Sequence, residues 1–409
     1  MRILVVSNLF HPDRGGGASV FSDLCFGLAE RGHDVTVYAA YPYYPEWTNK
    51  AHANLWRVSD EQLHGLRVRR FGLYIPKNPS KLGPRLAFEL SYAVSLLRSL
   101  AYRERFDAVM VFCPVMGAVA YTAARRLVYR ETTWLNVQDI PADAAASSGI
   151  ASGRLGQRIG QRAQSLVFNS ADVWSTIAPK MVERLEVLRR RDQPIHLVPN
   201  FLNGSMAAAI AEHPSKLGRP VGTPPRLLYA GTIGKKQDLL ACCRRLASLE
   251  LDFRFRIHGS GGEAAHVRDW IATSGDPRFE FGSFLDEPAY VAALYETDVF
   301  VITEREGVGA SFMPSKLIPC IATGTPVLGV CDGDGPLGRE IADFGLGAVV
   351  QWPEIDQLER CLREICDDAE TFRDHQRAAL ERSTSYARDT VISFVERELT
   401  AGLTARARA

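Results

Sequence analysis

A short apolar run, Ile3 to Ser7, leads into a glycine-rich loop (Arg14 to Gly17), a helical stretch from Ser19 to Ala29, a stop at Gly32 and a second β-branched run, Val35 to Tyr38. Short apolar runs bounded by turn residues read as buried strands. Strand, loop, helix and strand within forty residues form the βαβ unit of a parallel sheet. The pattern predicts further strands at Leu66–Phe71, Ala108–Cys113, Thr133–Val137, Val173–Ile177 and His196–Val198, with helices at Phe88–Tyr102 and Gly117–Tyr129. Between Asn203 and Pro225 four prolines and three glycines interrupt it, and regular structure is expected to lapse there into a linker. The alternation then resumes, with strands at Arg226–Tyr229, Phe253–His258, Phe279–Phe281, Val299–Ile302 and Val327–Val330 and helices between them. From Glu354 on, charged helices are expected.

Two such halves make a bilobal α/β chain: a first doubly wound domain over 1–202, a second over 203–385 with its linker at about 203–225, and a C-terminal helix over 386–409 that packs back on the first domain. In open parallel sheets ligands sit beyond the carboxyl ends of the strands, so the two domains are expected to face each other across a cleft.

Composition narrows the class. The 409 residues suffice for two or three domains, and a net charge of +1 with 46% hydrophobic and 23% charged residues is that of an ordinary globular chain. Nothing in it points to nucleic acid. The eight cysteines lie mostly in apolar runs with no CxxC pair, which predicts reduced core thiols. The N-terminal apolar run is too short for a secretory leader or a membrane span, so a cytoplasmic location is expected.

Candidate chemistry lies in the loops after strands. Gly15, Gly16 and Gly17 precede a helix whose N-terminus favours an anion, though three glycines are equally a flexible turn. Their spacing fails the dinucleotide fingerprint, and no acidic residue ends the second strand. The second half repeats the arrangement at Gly231-Thr232-Ile233-Gly234-Lys235-Lys236, where two lysines can meet a diphosphate. Met313-Pro314-Ser315-Lys316-Leu317 reads as a helix start, with Ser315 as cap and Lys316 beside the first-turn N–H groups: a phosphate pocket, or a cap and nothing more. Asp139 follows a predicted strand and is placed to orient or deprotonate an acceptor; Asp143 competes for that role. His258 and Gly259 end another strand. Asp332-Gly333-Asp334 imitates a metal-binding DxD pair but reads as a turn, and no metal site is expected. The segment from Lys77 to Arg105 interleaves basic and apolar residues, as either a helix lying on an anionic membrane or a half-buried helix with basic ends.

Phe10-His11-Pro12 with the triple glycine, and Leu28-Ala29-Glu30-Arg31-Gly32-His33-Asp34-Val35, resemble the N-terminal signature of family-4 retaining glycosyltransferases of the GT-B fold. Tyr41 to Trp47, Leu73 to Ser80, Val137-Gln138-Asp139, Tyr229 to Gln237 and Pro314-Ser315-Lys316-Leu317 are similar to the colanic-acid fucosyltransferase branch. The resemblance implies two Rossmann-like lobes, a nucleoside-diphosphate sugar (GDP- or UDP-linked) held by the C-terminal lobe, an acceptor on the N-terminal lobe and no required metal or other cofactor. Lys235, Lys236, Ser315 and Lys316 would hold the diphosphate, Gly15 to Gly17 would approach it, and His258 and Phe284 would flank the base. The glutamate pair common in the family is missing, Ser311 and Pro319 standing in its place. Glu304 and Glu306 lie near enough to substitute, and Glu306 and Gly307 are counted among the donor contacts.

The implied activity is transfer of a hexose-type sugar with retention, Asp139 and Lys316 serving as the catalytic pair. The acceptor is a polysaccharide, a lipid-linked oligosaccharide or a small natural-product molecule, with peripheral membrane contact and a homodimer as further expectations. A nucleotide-sugar 2-epimerase and a non-catalytic sugar-nucleotide-binding subunit are the alternatives on the same architecture.

Overall fold

The computed structural model describes residues 1–13, 17–78, 81–140, 154–308 and 313–408. The chain divides into two compact units, one made of residues 1–200 and 388–409 and the other of 201–387.

In the first unit, β1 (Arg2–Ser7), β2 (Asp34–Ala40), β3 (Val58–Leu63), β4 (Leu66–Phe71), β5 (Ala108–Cys113), β6 (Thr132–Val137), β7 (Val173–Thr176) and β8 (Ile195–Leu197) form one sheet in the order β3-β4-β2-β1-β5-β6-β7-β8. All pairs are parallel except the β3–β4 hairpin. Ile3 to Val6 have no exposed surface, because helices cover both faces of a parallel sheet and leave its strands almost uniformly apolar. The helices are α1 (Ala18–Glu30), α2 (Leu82–Leu97), α3 (Met116–Tyr129), α4 (Arg154–Phe168) and α5 (Pro179–Leu188). Strand β3, VSDEQL, is absent from the sequence reading: as an edge strand with exposed polar positions it has no apolar face to announce it.

The second unit begins with α6 (Gly204–Ala211). Its sheet contains β9 (Arg226–Thr232), β10 (Arg254–Ser260), β11 (Phe279–Gly282), β12 (Val299–Thr303), β13 (Val327–Val330) and β14 (Gly347–Val350), all parallel, in the order β11-β10-β9-β12-β13-β14. Around it lie α7 (Leu239–Ala247), α8 (Ala264–Ser274), α9 (Glu287–Tyr295), α10 (Leu317–Ala322), α11 (Pro336–Asp343), α12 (Leu358–Cys366) and α13 (Ala369–Ser383). Leu227 and Tyr229 point into one apolar layer and Leu228 and Ala230 into the other, so β9 is buried on both faces. This is the doubly wound order, which reverses direction between β9 and β12.

The expected lapse of structure over 203–225 is corrected in two respects. Asn203 accepts the Met206 N–H at 2.8 Å and caps α6. Lys216 is buried and donates to the carbonyls of Leu294 and Thr297 and to Thr325 Oγ1 at 2.6–2.8 Å, which ties the segment into the second unit.

The final helix, α14 (Arg388–Arg408), belongs to the first unit and packs on α1. Arg388 reaches Asp23 at 2.9 Å and Glu30 at 2.8 Å, Arg31 reaches Asp389 at 3.1 Å, and His33 meets Glu396 at 2.9 Å. A side chain on Gly27 would run into Ile392, so the two helices touch backbone to side chain. Among the described residues no helix is long and apolar enough to cross a membrane.

Candidate active site

The reversal of strand order in the second unit places the ends of β9 and β12 side by side, the position where open α/β sheets bind ligands. Strand β9 ends in Gly231 and Thr232. Gly231 has φ +130°, a conformation strained for any residue with a Cβ, and it faces Lys316: a Cβ built on it would lie 3.6 Å from Cε and Nζ of that lysine. Gly231 pairs with Gly259 on β10, where a side chain would strike the Gly231 carbonyl. Two bare backbones thus run together beneath the lysine.

Lys316 Nζ is fully enclosed, with no hydrogen-bond partner among the described residues, and sits 4.0 Å from the centre of the Tyr229 ring. Burial draws its pKa down to about 7, opposed by the nearby Glu304. A cation shut away from water over a ring face is costly, and an arriving anion would relieve that cost.

Glu304 is the other enclosed charge. It follows β12 directly, and its backbone is fixed by an N–H bond to Val330 at 2.9 Å and by the Trp352 indole N–H on its carbonyl at 2.6 Å. Its Oε1 is buried without a hydrogen-bond partner among the described residues. Burial, and then Asp332, push its carboxyl up to about 8 against the pull of Lys316 and Lys236. The Arg305 N–H donates to the Lys236 carbonyl at 2.7 Å and binds the loop after β9 to the loop after β12.

The predicted residues distribute unevenly. Gly231, Lys316 and Lys236 come together around Glu304. Lys235, Thr232 and Ser315 lie on the surface. In the loop after β9 the Ile233 N–H is taken by the Ser260 carbonyl and the Gly234 N–H by the Gln237 side chain at 3.0 Å. The helix start differs from expectation. Lys316 is itself the N-cap of the six-residue α10, Ser315 makes no side-chain cap, and the Leu317 and Ile318 N–H groups turn back to the carbonyls of Pro314 and Ser315. A tight turn at 314–317 thus takes the Leu317 and Ile318 amides and leaves Lys316 Nζ as the enclosed donor of this segment.

The His258 ring meets the Ser283 carbonyl at 3.0 Å and lies over Gly282, where a side chain would overlap the ring; Phe284 follows with its ring exposed. Glu306 is exposed, and the Gly307 N–H donates to both oxygens of Asp332 at 3.2 and 3.0 Å. Asp332 therefore anchors the turn that carries Glu306. The carboxylate beside the lysine is Glu304, which the sequence offered only as an alternative to Glu306. Among the described residues no group of three or more His, Cys, Asp or Glu is arranged to hold a metal.

In the first unit Asp139 lies half-buried two residues past β6, its carbonyl 3.6 Å from Cys113 Sγ. Gly17 precedes α1 with φ +90° and its carbonyl accepts the Phe21 N–H at 2.9 Å. Gly15, Gly16, Asp143 and Ser311 lie outside the described residues. Two acids that the sequence reading missed sit near the ends of β1 and β5. Asp13, buried, accepts the Tyr43 and Tyr44 N–H groups at 2.9 Å, and burial raises its carboxyl. Glu89 accepts the Gly117 N–H at the start of α3 at 3.0 Å. Asp13 stands between Phe10-His11-Pro12 and the triple glycine, and Glu89 stands in no recognisable motif.

Residues 15–200 match the glycosyl transferase 4-like domain. The first unit thus carries a glycosyl transferase 4-like domain, and the two doubly wound units give the chain the GT-B fold of glycosyltransferases. It is similar to the putative colanic acid biosynthesis glycosyl transferase WcaI of Escherichia coli K12, with 27% identity over 383 residues, covering 89% of this chain and 92% of that protein. Among solved structures it resembles HepE of Anabaena in complex with UDP (TM-score 0.68, 15% identity, 98% of this chain and 100% of that one). It also resembles sucrose-phosphate synthase of Thermosynechococcus elongatus (TM-score 0.71, 14% identity, 99% and 100%).

Proposed function

We propose that the protein transfers a hexose-type sugar from a nucleoside diphosphate, GDP or UDP, to a growing polysaccharide or lipid-linked oligosaccharide, with retention at the anomeric carbon. The enclosed ammonium of Lys316 beside Gly231, with no hydrogen-bond partner among the described residues, carries this reading. As the glycosidic bond to phosphate breaks, negative charge gathers on the departing diphosphate. A cation already desolvated and fixed over Tyr229 meets that charge without reorganising, so it stabilises the transition state more than the ground state. Lys236 and Lys235 extend the positive wall, and Phe284 with His258 flanks the base.

Among the residues around Lys316, Glu304 is the available carboxylate. Tied by its backbone and facing a lysine, it positions Lys316 or meets the ribose; it does not act as a covalent nucleophile. A front-face route follows, in which the departing phosphate oxygen takes the acceptor proton while Asp139 orients the acceptor. The similarity to the colanic acid protein and to a UDP-bound neighbour supports the polysaccharide class and the nucleotide donor. No metal is assigned, because lysines supply the charge that a metal would supply.

Thermal unfolding against GDP, UDP, TDP and ADP identifies the nucleotide, since a ligand that binds only the native state raises the midpoint. With the matching sugar nucleotide, Lys316→Ala should lower turnover about 10²–10³-fold, the loss typical of a preorganised electrostatic group, with the unfolding midpoint nearly unchanged. Turnover within a factor of about three of the parent rejects the site. An isomerised sugar formed from donor alone, without acceptor, would reassign the reaction to epimerisation.

A further inference from the structure

Helix α2 carries an apolar stripe that the fold does not cover. Its other face is buried in the first unit through Phe88, Tyr92 and Leu96. On the outer face Leu82, Leu86, Leu90 and Val94 follow one another at four-residue intervals and Leu97 closes the row, with 41–66% of each residue exposed. Four-residue spacing keeps these side chains along one line of the helix, a row about 22 Å long at 1.5 Å per residue. Scattered surface leucines need no explanation; a continuous row of five does.

The charge around the row has one sign. Lys77 and Lys81 stand exposed before it and Arg103 and Arg105 after it. From 74 to 105 there are six Lys and Arg against two Glu, in a chain whose net charge is +1. Both acids are occupied elsewhere: Glu89 by Arg85 and the Gly117 N–H, and Glu104 by Arg67, Arg69 and the Tyr38 hydroxyl. A protein partner for such a surface would need an apolar strip bounded by acids. A bilayer with anionic headgroups presents that chemistry everywhere: acyl chains for the leucines and phosphates for the cations at both ends.

We infer that α2 docks the first unit on an anionic lipid surface, with the 82–97 row in the headgroup–acyl boundary and Lys77, Lys81, Arg103 and Arg105 at the phosphates. The inference rests on the first unit alone and is independent of the donor site. The tested forms are the full chain and its Leu86→Glu/Leu90→Glu variant, sedimented with vesicles of phosphatidylcholine, with or without phosphatidylglycerol. The parent should bind the anionic vesicles, lose binding as salt is raised, and leave neutral vesicles largely unbound; the variant should lose at least tenfold in partitioning. Nucleotide-induced thermal stabilisation, read on both proteins, should be equal and shows that the variant is folded. Lys77→Glu/Lys81→Glu should weaken binding to anionic vesicles only. No sedimentation of the parent, or equal sedimentation of the Leu variant, overturns the inference. So does a parent dimer in solution that the Leu variant dissociates without any vesicle binding, which would make the row a contact between copies of this chain.

Discussion

Raising the pH above 7 strips the proton from Lys316 before a nucleotide arrives, and nucleotide affinity should record it. With its pKa drawn down to about 7 by burial, the lysine carries its charge in only about one molecule in ten at pH 8. A diphosphate is fully ionised above about pH 7. Seated against Nζ, it favours the charged amine and draws the proton back. The other groups around the ammonium have to be counted. Tyr229 stays neutral because burial pushes its phenol up. Tyr290 touches only the backbone carbonyl of Lys316. Glu304, raised to about 8, is kept protonated by an incoming anion and adds to the uptake, while Asp332 and Lys236 act through Glu304 with opposite signs.

The expected result is a fall in UDP affinity between about pH 7 and 9 of up to about tenfold per pH unit, about 1.4 kcal/mol, for each proton taken up. Titration calorimetry in two buffers of different ionisation enthalpy should read about one and a half protons taken up near pH 8, about one from the lysine and about half from the carboxyl. Glu304→Gln removes the carboxyl's share and leaves the lysine's; Lys316→Met does the reverse. A parent affinity that is flat over this range, or an unchanged slope in the double variant, refutes the reasoning.

Gly231→Ala forces a side chain into a left-sided backbone conformation next to Lys316; urea unfolding should show a loss of about 1–3 kcal/mol, together with weaker nucleotide binding. Lys216→Met leaves two carbonyls and a hydroxyl without their donor and should destabilise the second unit by about 2–4 kcal/mol, read as a lower denaturant midpoint and faster amide exchange near 294–297. Arg388→Ala removes the ion pairs to Asp23 and Glu30, partly exposed and together about 1 kcal/mol; amide exchange should accelerate in α14 while the β9–β13 core is unaffected, and unchanged exchange in α14 would show those pairs to be idle.

The alternation of apolar runs with helical stretches was enough to find both sheets, since strands buried on two faces carry uniform runs such as Ile3–Val6 and Val299–Ile302. What escaped was local in a different way. The edge strands β3 and β14 and helix α6 depend on the partners that they meet: β4 and β13 for the strands, the Asn203 cap for the helix. At the site, Lys316 and Lys236 could be picked out because lysines in loops after strands are conspicuous. Glu304 and Glu306 could not be told apart, because Glu304 is enclosed by Val330 pairing and by Trp352, 48 residues further on. The helix start failed for a related reason: a Pro-Ser-Lys sequence fits a capped helix and a tight turn equally well, and the turn was formed.

The first unit is assembled from both ends of the chain. Residues 201–387 are contiguous and complete as soon as they are made, whereas α1 waits for Arg388, Asp389 and Glu396 to leave the ribosome. Until α14 docks, α1 shows the surface that faces Ile392. The half translated first is thus completed only by the residues translated last.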